Sequence, residues 1–129
     1  MIADTSFIID IMDGDALALQ KLSVVEKGGT PLNVTALTVF ELWSGIARSK
    51  KKEDEKKKVR GVLLNQSVVD FDRFSAELAG SIHGELFERG TPIGSVDSMI
   101  AGIARMRGEK ILTRNVKHFQ RAGVDVEMY

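Results

Sequence analysis

The sequence contains no cysteine, only two prolines, one tryptophan and one tyrosine, and its formal net charge is +0. Without cysteine there is no disulfide framework and no thiolate chemistry, so any metal must be held through oxygen or nitrogen. Carboxylates favour hard ions such as Mg²⁺ or Mn²⁺. No apolar run approaches the about 20 residues needed to cross a bilayer, which excludes a membrane partner of that kind. The opening "MIADTSFIIDIMDGD" meets an acid at its fourth residue and has neither a basic leader nor a small-residue cleavage site, so it does not read as a secretory signal. A cytoplasmic protein is expected. No internal repeat and no Pro/Gly/Ser-rich linker divides the 129 residues, a length near that of one ordinary domain. The expectation is one domain over 1–129.

The absent net charge hides a strong polarity. Segment 48–60, "RSKKKEDEKKKVR", has eight basic and three acidic residues, and segment 105–121, "RMRGEKILTRNVKHFQR", has six basic and one acidic. Each carries +5, so the remainder carries −10. A basic surface beside an acidic centre suits a polyanion held next to a bound cation. A Lys/Glu-rich run is equally the mark of a solvated helix face.

Hydrophobic patterning predicts short strands alternating with helices. "MIA" reads as a strand, "FIIDIM" as a helix, 15–27 as a second helix stopped by Gly28 and Gly29, and "PLNVTAL" as a buried strand leading into a helix at Thr38. That helix carries "VFELWSGIARSK", and after a break the charged run continues as helix to about Gly61. "SVVDF" is a strand; 72–89 is an amphipathic helix with Phe74, Leu78, Ile82, Leu86 and Phe87 at helical spacing; 97–107 is a helix ending at Gly108. "KILT" and "VDVEM" are the last strands. The pattern predicts an α/β fold with a central parallel sheet and helices on both faces. Ligands of such sheets bind beyond the C-terminal strand edge, where strand order reverses.

The residues that follow the strands are mostly acids. Asp4 follows "MIA", Glu41 lies one turn into the helix after "PLNVTAL", Asp97 opens the helix that follows "TPIGS", and Asn115 follows "KILT". Each has a plainer reading: Asp4 as a helix cap, Thr38 and Glu41 as a capping box, Asp97 as a complement to a helix dipole, Asn115 as a turn residue. Caps alone do not explain why all four fall at one sheet edge. Three carboxylates within a few ångström repel by several kcal/mol at an effective dielectric of about 20, a cost that a divalent cation resolves. Mg²⁺ is held by one or two direct carboxylates plus water, and a bound ion activates water and neutralises charge at a transferring phosphoryl group.

The segments "MIADTSFIIDIM", "TVFELWSGIAR", "GTPIGSVDSMIAGIA" and "ILTRNVKHF", in this order and spacing from Met1 to about Val126, resemble those of PIN-domain ribonucleases, most closely the VapC-type toxins of toxin–antitoxin pairs. The resemblance implies a single PIN-like domain and metal-dependent endonucleolytic cleavage of single-stranded regions in structured RNA, leaving a 5′-phosphate and a 3′-hydroxyl. Asp4, Glu41 and Asp97 take the positions of the metal-binding acids. Asn115 takes a fourth position that is aspartate in many PIN domains, which removes one negative charge. Thr5, Ser6 and Thr113 become orienting hydroxyls, Arg114, Lys117 and the run from Lys50 to Lys58 become contacts to the RNA backbone, and His118 becomes a phosphate-binding or structural residue. A cognate antitoxin and a homodimer are implied partners.

Several residues stay outside that scheme. Trp43 is expected in the core or at a dimer interface rather than stacked on a base. Met12, Met99 and Met106 are expected as core or interface filler, and His83 as a structural residue mid-helix, away from every motif. Two rival functions are weighed. A phosphatase of the haloacid-dehalogenase type wants a second acid two residues after its nucleophile, where Ser6 stands, and a receiver domain wants an acidic pair at the first strand, which is missing. A catalytically vestigial RNA- or protein-binding module is the second rival, supported by Asn115 and opposed by the three retained acids.

Overall fold

The computed structural model describes all residues, 1–129. Five short strands, β1 (Ile2–Ala3), β2 (Asn33–Thr35), β3 (Ser67–Val69), β4 (Ile111–Leu112) and β5 (Val126–Glu127), form one sheet in the order β3-β2-β1-β4-β5. Every neighbouring pair is parallel, with Ile2 opposite both Asn33 and Ile111. Seven helices connect them: α1 (Thr5–Met12), α2 (Ala16–Lys27), α3 (Ala36–Ala47), α4 (Lys52–Leu63), α5 (Arg73–Glu88), α6 (Ser95–Arg107) and α7 (Val116–Arg121). No helix is long and apolar enough to cross a membrane.

Strand alternation divides the core. Successive side chains of a strand point to opposite faces, so Ile2 and Ile111 join a cluster with Ile82, Leu86, Ile100, Ile103 and Phe119, while Ala3 and Leu112 join Phe7, Ile8, Val34, Leu42, Ile46 and Val59 on the other face. Helices α5, α6 and α7 cover the first face and α1 to α4 the second. Both faces are buried, as expected for a parallel sheet.

Local chemistry sets the helix boundaries. Asp15 caps α2 by accepting from the Ala18 N–H, Asp72 caps α5 by accepting from Ser75, and Thr35 caps α3 by accepting from Thr38. The last of these corrects the expected start at Thr38: the helix begins at Ala36, and Thr38 donates its backbone N–H instead of forming a capping box with Glu41. Helix α6 likewise begins at Ser95, two residues before the expected start, which puts Asp97 at its third position, and it ends at Gly108 with a left-handed φ of 64°. Helix α1 takes in Thr5 and Ser6, ahead of the expected "FIIDIM".

The structure differs from the sequence reading in several other places. Helix α7 was not expected: its six residues are too few for a hydrophobic repeat to show. Leu78, Ile82 and Leu86 face the core, but Phe74 and Phe87 are 60% and 69% exposed; the buried stripe of α5 runs Ser75, Ala79, Ile82 and Leu86, one position away from each phenylalanine. Met12 packs on the second core, whereas Met106 is exposed near the C-terminal end of α6. Trp43 is half-buried against that same core, with the Arg60 guanidinium 5.5 Å from its ring centre.

Helices α5 and α6 form the most extensive contact between elements, and the cause is Gly102. A Cβ at this position would meet Ala79 Cβ at 2.7 Å, Ser75 O at 2.7 Å and Ala79 Cα at 3.0 Å. The absence of a side chain lets the two helices approach at backbone distance.

Candidate active site at the switch point of the sheet

The chain builds β1, β2 and β3 outward in one direction, then returns to place β4 and β5 on the other side of β1. Strand order therefore reverses between β1 and β4, which opens a crevice beyond their C-terminal ends. Asp4 follows β1 and Thr113 follows β4. Their side chains meet there, with Thr113 Oγ1 donating to Asp4 Oδ2 at 2.8 Å. The Ser6 hydroxyl donates to the same oxygen at 3.0 Å. Asp4 occupies the cap position of α1 but makes no capping bond, so its carboxylate serves the crevice and not the helix.

Glu41 arrives from α3, where Thr5 Oγ1 donates to its Oε1 at 2.6 Å and also lies 3.0 Å from Thr38 Oγ1. Asp97 arrives from the first turn of α6, and the His118 Nδ1 lies 2.8 Å from its Oδ2. Each of the three acids thus has one oxygen fixed by a neighbouring donor, while no side-chain donor holds the other. No buried side-chain nitrogen or oxygen lacks a partner, so these second oxygens are not stranded in the core.

The acids feel one another. Burial pushes the Asp4 carboxyl above its ordinary pKa, the Thr113 bond pulls it back, and the charge of Asp97 adds to the rise. Glu41 is raised by burial first, against the opposing Thr5 bond, and then by the charges of Asp4 and Asp97. No three His, Asp or Glu side chains stand close enough together, as placed, to enclose a metal ion. The expected gathering of the acids within a few ångström is therefore looser than the spacing suggested, because Asp97 is turned to His118 and Glu41 to Thr5.

The remaining expected residues surround this centre. The Asn115 backbone N–H donates to Thr113 Oγ1 at 2.9 Å, but its exposed side chain makes no bond to the acids. Lys117 is exposed on α7. Arg114 donates its backbone N–H to Ser6 Oγ at 3.3 Å and turns its guanidinium to Asp10. Lys56 and Lys58 pair with Glu53 and Glu55 on their own helix, which leaves Lys50, Lys51, Lys52 and Lys57 as the less compensated part of the basic run. His83 is mid-helix as expected, but its Nδ1 lies 2.8 Å from Ser98 Oγ, one residue beyond Asp97. It is not remote from the motif.

Sequence reading missed two residues of this edge. Asp10 is buried and accepts from Arg114 Nη1 at 2.7 and 2.9 Å and from the Tyr129 hydroxyl at 2.6 Å. Its signal was available as an acid set between isoleucines in "FIIDIM", since charged residues are rarely buried without a partner. Tyr129, which packs edge-on against Phe7 with ring centres 4.9 Å apart, left no comparable trace.

Comparison with known proteins agrees with this fold. The family described as PIN domain matches residues 1–124. The chain is 37% identical over 90 residues to the tRNA(fMet)-specific endonuclease VapC of Shigella flexneri, covering 70% of this chain and 68% of that protein. Its fold matches VapBC from Salmonella typhimurium, solved bound to DNA, with a TM-score of 0.86 and 29% identity over 98% of this chain and 96% of that one. It also matches VapBC2 from Rickettsia felis bound to a promoter DNA fragment, with a TM-score of 0.90 at 24% identity over 99% and 97% of the two chains. A family match along nearly the whole length, on a five-stranded parallel sheet with acids at its switch point, makes this chain a member of the PIN-domain family.

Proposed function

We propose that this chain is a Mg²⁺- or Mn²⁺-dependent endoribonuclease, the toxin of a VapBC-type pair, that cleaves single-stranded regions of structured RNA in the cytoplasm. The observation that carries the reading is the set of three carboxylates at the switch point, each fixed through one oxygen and two of them raised first by burial and then by their neighbours' charge. Fixed carboxylates that repel one another suit a hard cation better than they suit a folded core. Mg²⁺ needs only one or two of them directly, with water completing its shell, so the looser spacing fits that ion. The family's nuclease relatives and the tRNA-specific name of one of them support a structured RNA as substrate.

In this reading Asp4, Glu41 and Asp97 hold the ion, which when bound supplies an activated water and charge neutralisation at phosphorus. Thr113 and Ser6 keep Asp4 in one rotamer, Thr5 does the same for Glu41, and His118 orients Asp97. Asn115, at the same edge, offers an amide to the substrate. Arg114, Lys117 and Lys50 to Lys52 hold the RNA backbone, contacts that position a strand without reading its sequence. The groove walled by Ile9, Met12, Leu42 and Ile46, with Glu41 and Glu55 among its lining, suits an apolar antitoxin segment that carries a basic residue. The exposed Leu17 and Val24 of α2 and Phe40 of α3 suit a homodimer contact.

The test is cleavage of a mixed structured RNA by antitoxin-free protein in Mg²⁺, Mn²⁺ or EDTA, beside Asp97→Asn. Metal-dependent products that vanish in the variant are expected. Identical behaviour of both proteins in every condition refutes the nuclease reading and leaves a binding module, which the His118–Asp97 pair and the neutral Asn115 would then favour.

A further inference from the structure

The buried acid that the proposed chemistry does not use is Asp10. It sits on α1 six residues beyond Asp4, roughly 9 Å along the helix axis, and its oxygens are engaged by Arg114 and Tyr129 rather than by the residues that hold Asp4. Its side chain is 11% exposed, yet both its oxygens accept from one guanidinium nitrogen of Arg114, and Oδ2 accepts from the Tyr129 hydroxyl as well. The Arg114 side chain remains 58% exposed. The clamp therefore occupies one nitrogen of a five-donor group and leaves the rest facing solvent beside the crevice.

Stability alone explains this arrangement poorly. A buried carboxylate loses hydration that an ion pair with a half-exposed partner only partly returns, and an apolar residue at the same place usually serves the fold as well. The backbone points elsewhere. The N–H of Arg114 donates to Ser6 Oγ, which in turn donates to Asp4 Oδ2. One residue is thus tied to the proposed metal-binding acid through its backbone and to Asp10 through its side chain, so the guanidinium stands at a set distance from the reacting centre.

We propose that Asp10 and Tyr129 are positioning residues that aim Arg114 at an RNA phosphate flanking the scissile one. This rests on the nuclease reading for its substrate, and it adds a function for two residues outside the acidic set. An arginine free to swing would attract RNA equally but would fix the strand in many registers. A clamped one selects the register that brings the scissile phosphate to the crevice, which is how remote binding contributes to rate.

The test is a double-mutant cycle on Arg114→Ala and Asp10→Asn, with Tyr129→Phe as the milder change. Each protein is read by kcat/KM in Mg²⁺, by anisotropy of a labelled single-stranded RNA in EDTA, and by thermal melting. Each single variant is expected to lower kcat/KM about tenfold, the scale of one charge-assisted hydrogen bond, and the double variant to be no worse than Arg114→Ala. Tyr129→Phe is expected to cost about threefold. Asp10→Asn should hold or tighten binding in EDTA, because it removes a negative charge while leaving Arg114, and should lower kcat more than it raises KM. Losses that multiply in the double variant overturn the proposal. So does an Asp10→Asn protein that melts lower but turns over normally per folded molecule. If wild type cleaves nothing in either metal, the nuclease reading fails and the clamp falls with it, whereas multiplying losses in an active enzyme overturn the clamp alone.

Discussion

Gly102→Ala is the substitution whose cost the structure states most directly. The added methyl would stand 2.7 Å from Ala79 Cβ and from Ser75 O, and 3.0 Å from Ala79 Cα, against the about 3.5–4.0 Å at which such atoms attract. Two of the three are backbone atoms and the third is a methyl carbon fixed to its own Cα, so no rotamer change relieves the contact. Overpacking of this kind costs about 1–3 kcal/mol, occasionally more, and a backbone clash belongs at the upper end. Alanine in a helix returns about 1 kcal/mol relative to glycine. The net loss is about 2 kcal/mol, which for a domain of this size lowers Tm by about 6–10 °C. Helix α6 relieves the clash by moving off α5, and it carries Asp97 five residues upstream, so activity should fall about 100-fold for a shift of about 1 Å at the site. Gly80→Ala is the control: it lies in α5 with open space around the added carbon and should raise stability by about 0.5–1 kcal/mol. Thermal melts and metal-dependent cleavage read both. A Gly102→Ala protein that melts at or above wild type refutes the account of how α5 and α6 approach.

Two further outcomes follow from the site. Asp4 and Glu41 have raised folded pKa values, so the stability tied to them is present when they are protonated and is lost as pH rises through those values. Metal-free protein should gain stability as pH falls from neutral towards the ordinary carboxylate range, Mg²⁺ should flatten that slope, and Asp4→Asn should raise the metal-free Tm at neutral pH by a few degrees, about 1 kcal/mol. Below that range the lowered Asp72, Glu109 and Glu127 impose the opposite trend; a metal-free melting profile flat between neutral pH and that range would count against the cost of burying these acids beside one another. Thr113→Val removes the hydroxyl that holds Asp4 Oδ2 and receives the Asn115 N–H; the Mg²⁺ concentration for half-maximal cleavage should rise about 10- to 100-fold, the usual cost of losing a residue that orients a ligand. An unchanged requirement would show that the Ser6 hydroxyl holds Asp4 without Thr113.

Much of this organisation was readable beforehand, for particular reasons. The parallel sheet was legible because its strands are short apolar runs separated by helical periods, and Asp4 and Thr113 because they directly follow "MIA" and close "KILT". The place of Asp97 beside the crevice was legible, though its helix began at Ser95, since glycine supplies the boundary at Gly94 without a capping side chain. The capping box at Thr38 misled because Thr35, three residues earlier, competes for the same role and wins it. What stayed hidden were pairings across the fold. Asp10 with Arg114, and His118 with Asp97, join residues 104 and 21 positions apart. No local pattern encodes them; only the strand order does.

That strand order has a temporal side. Central strand β1 is made well before its partner β4 at Ile111–Leu112, and one of the two hydroxyls that fix Asp4 belongs to Thr113. Closing so long a loop costs entropy that no earlier contact returns. On the ribosome, α1 to α4 can settle around β1 and β2 while the edge that receives β4 stays open. The crevice then has one wall, and Asp4 has no Thr113 to hold it. Synthesis itself thus withholds a complete site until β4 and Thr113 have been made, an interval in which a partner already at hand could reach the protein before its crevice has closed.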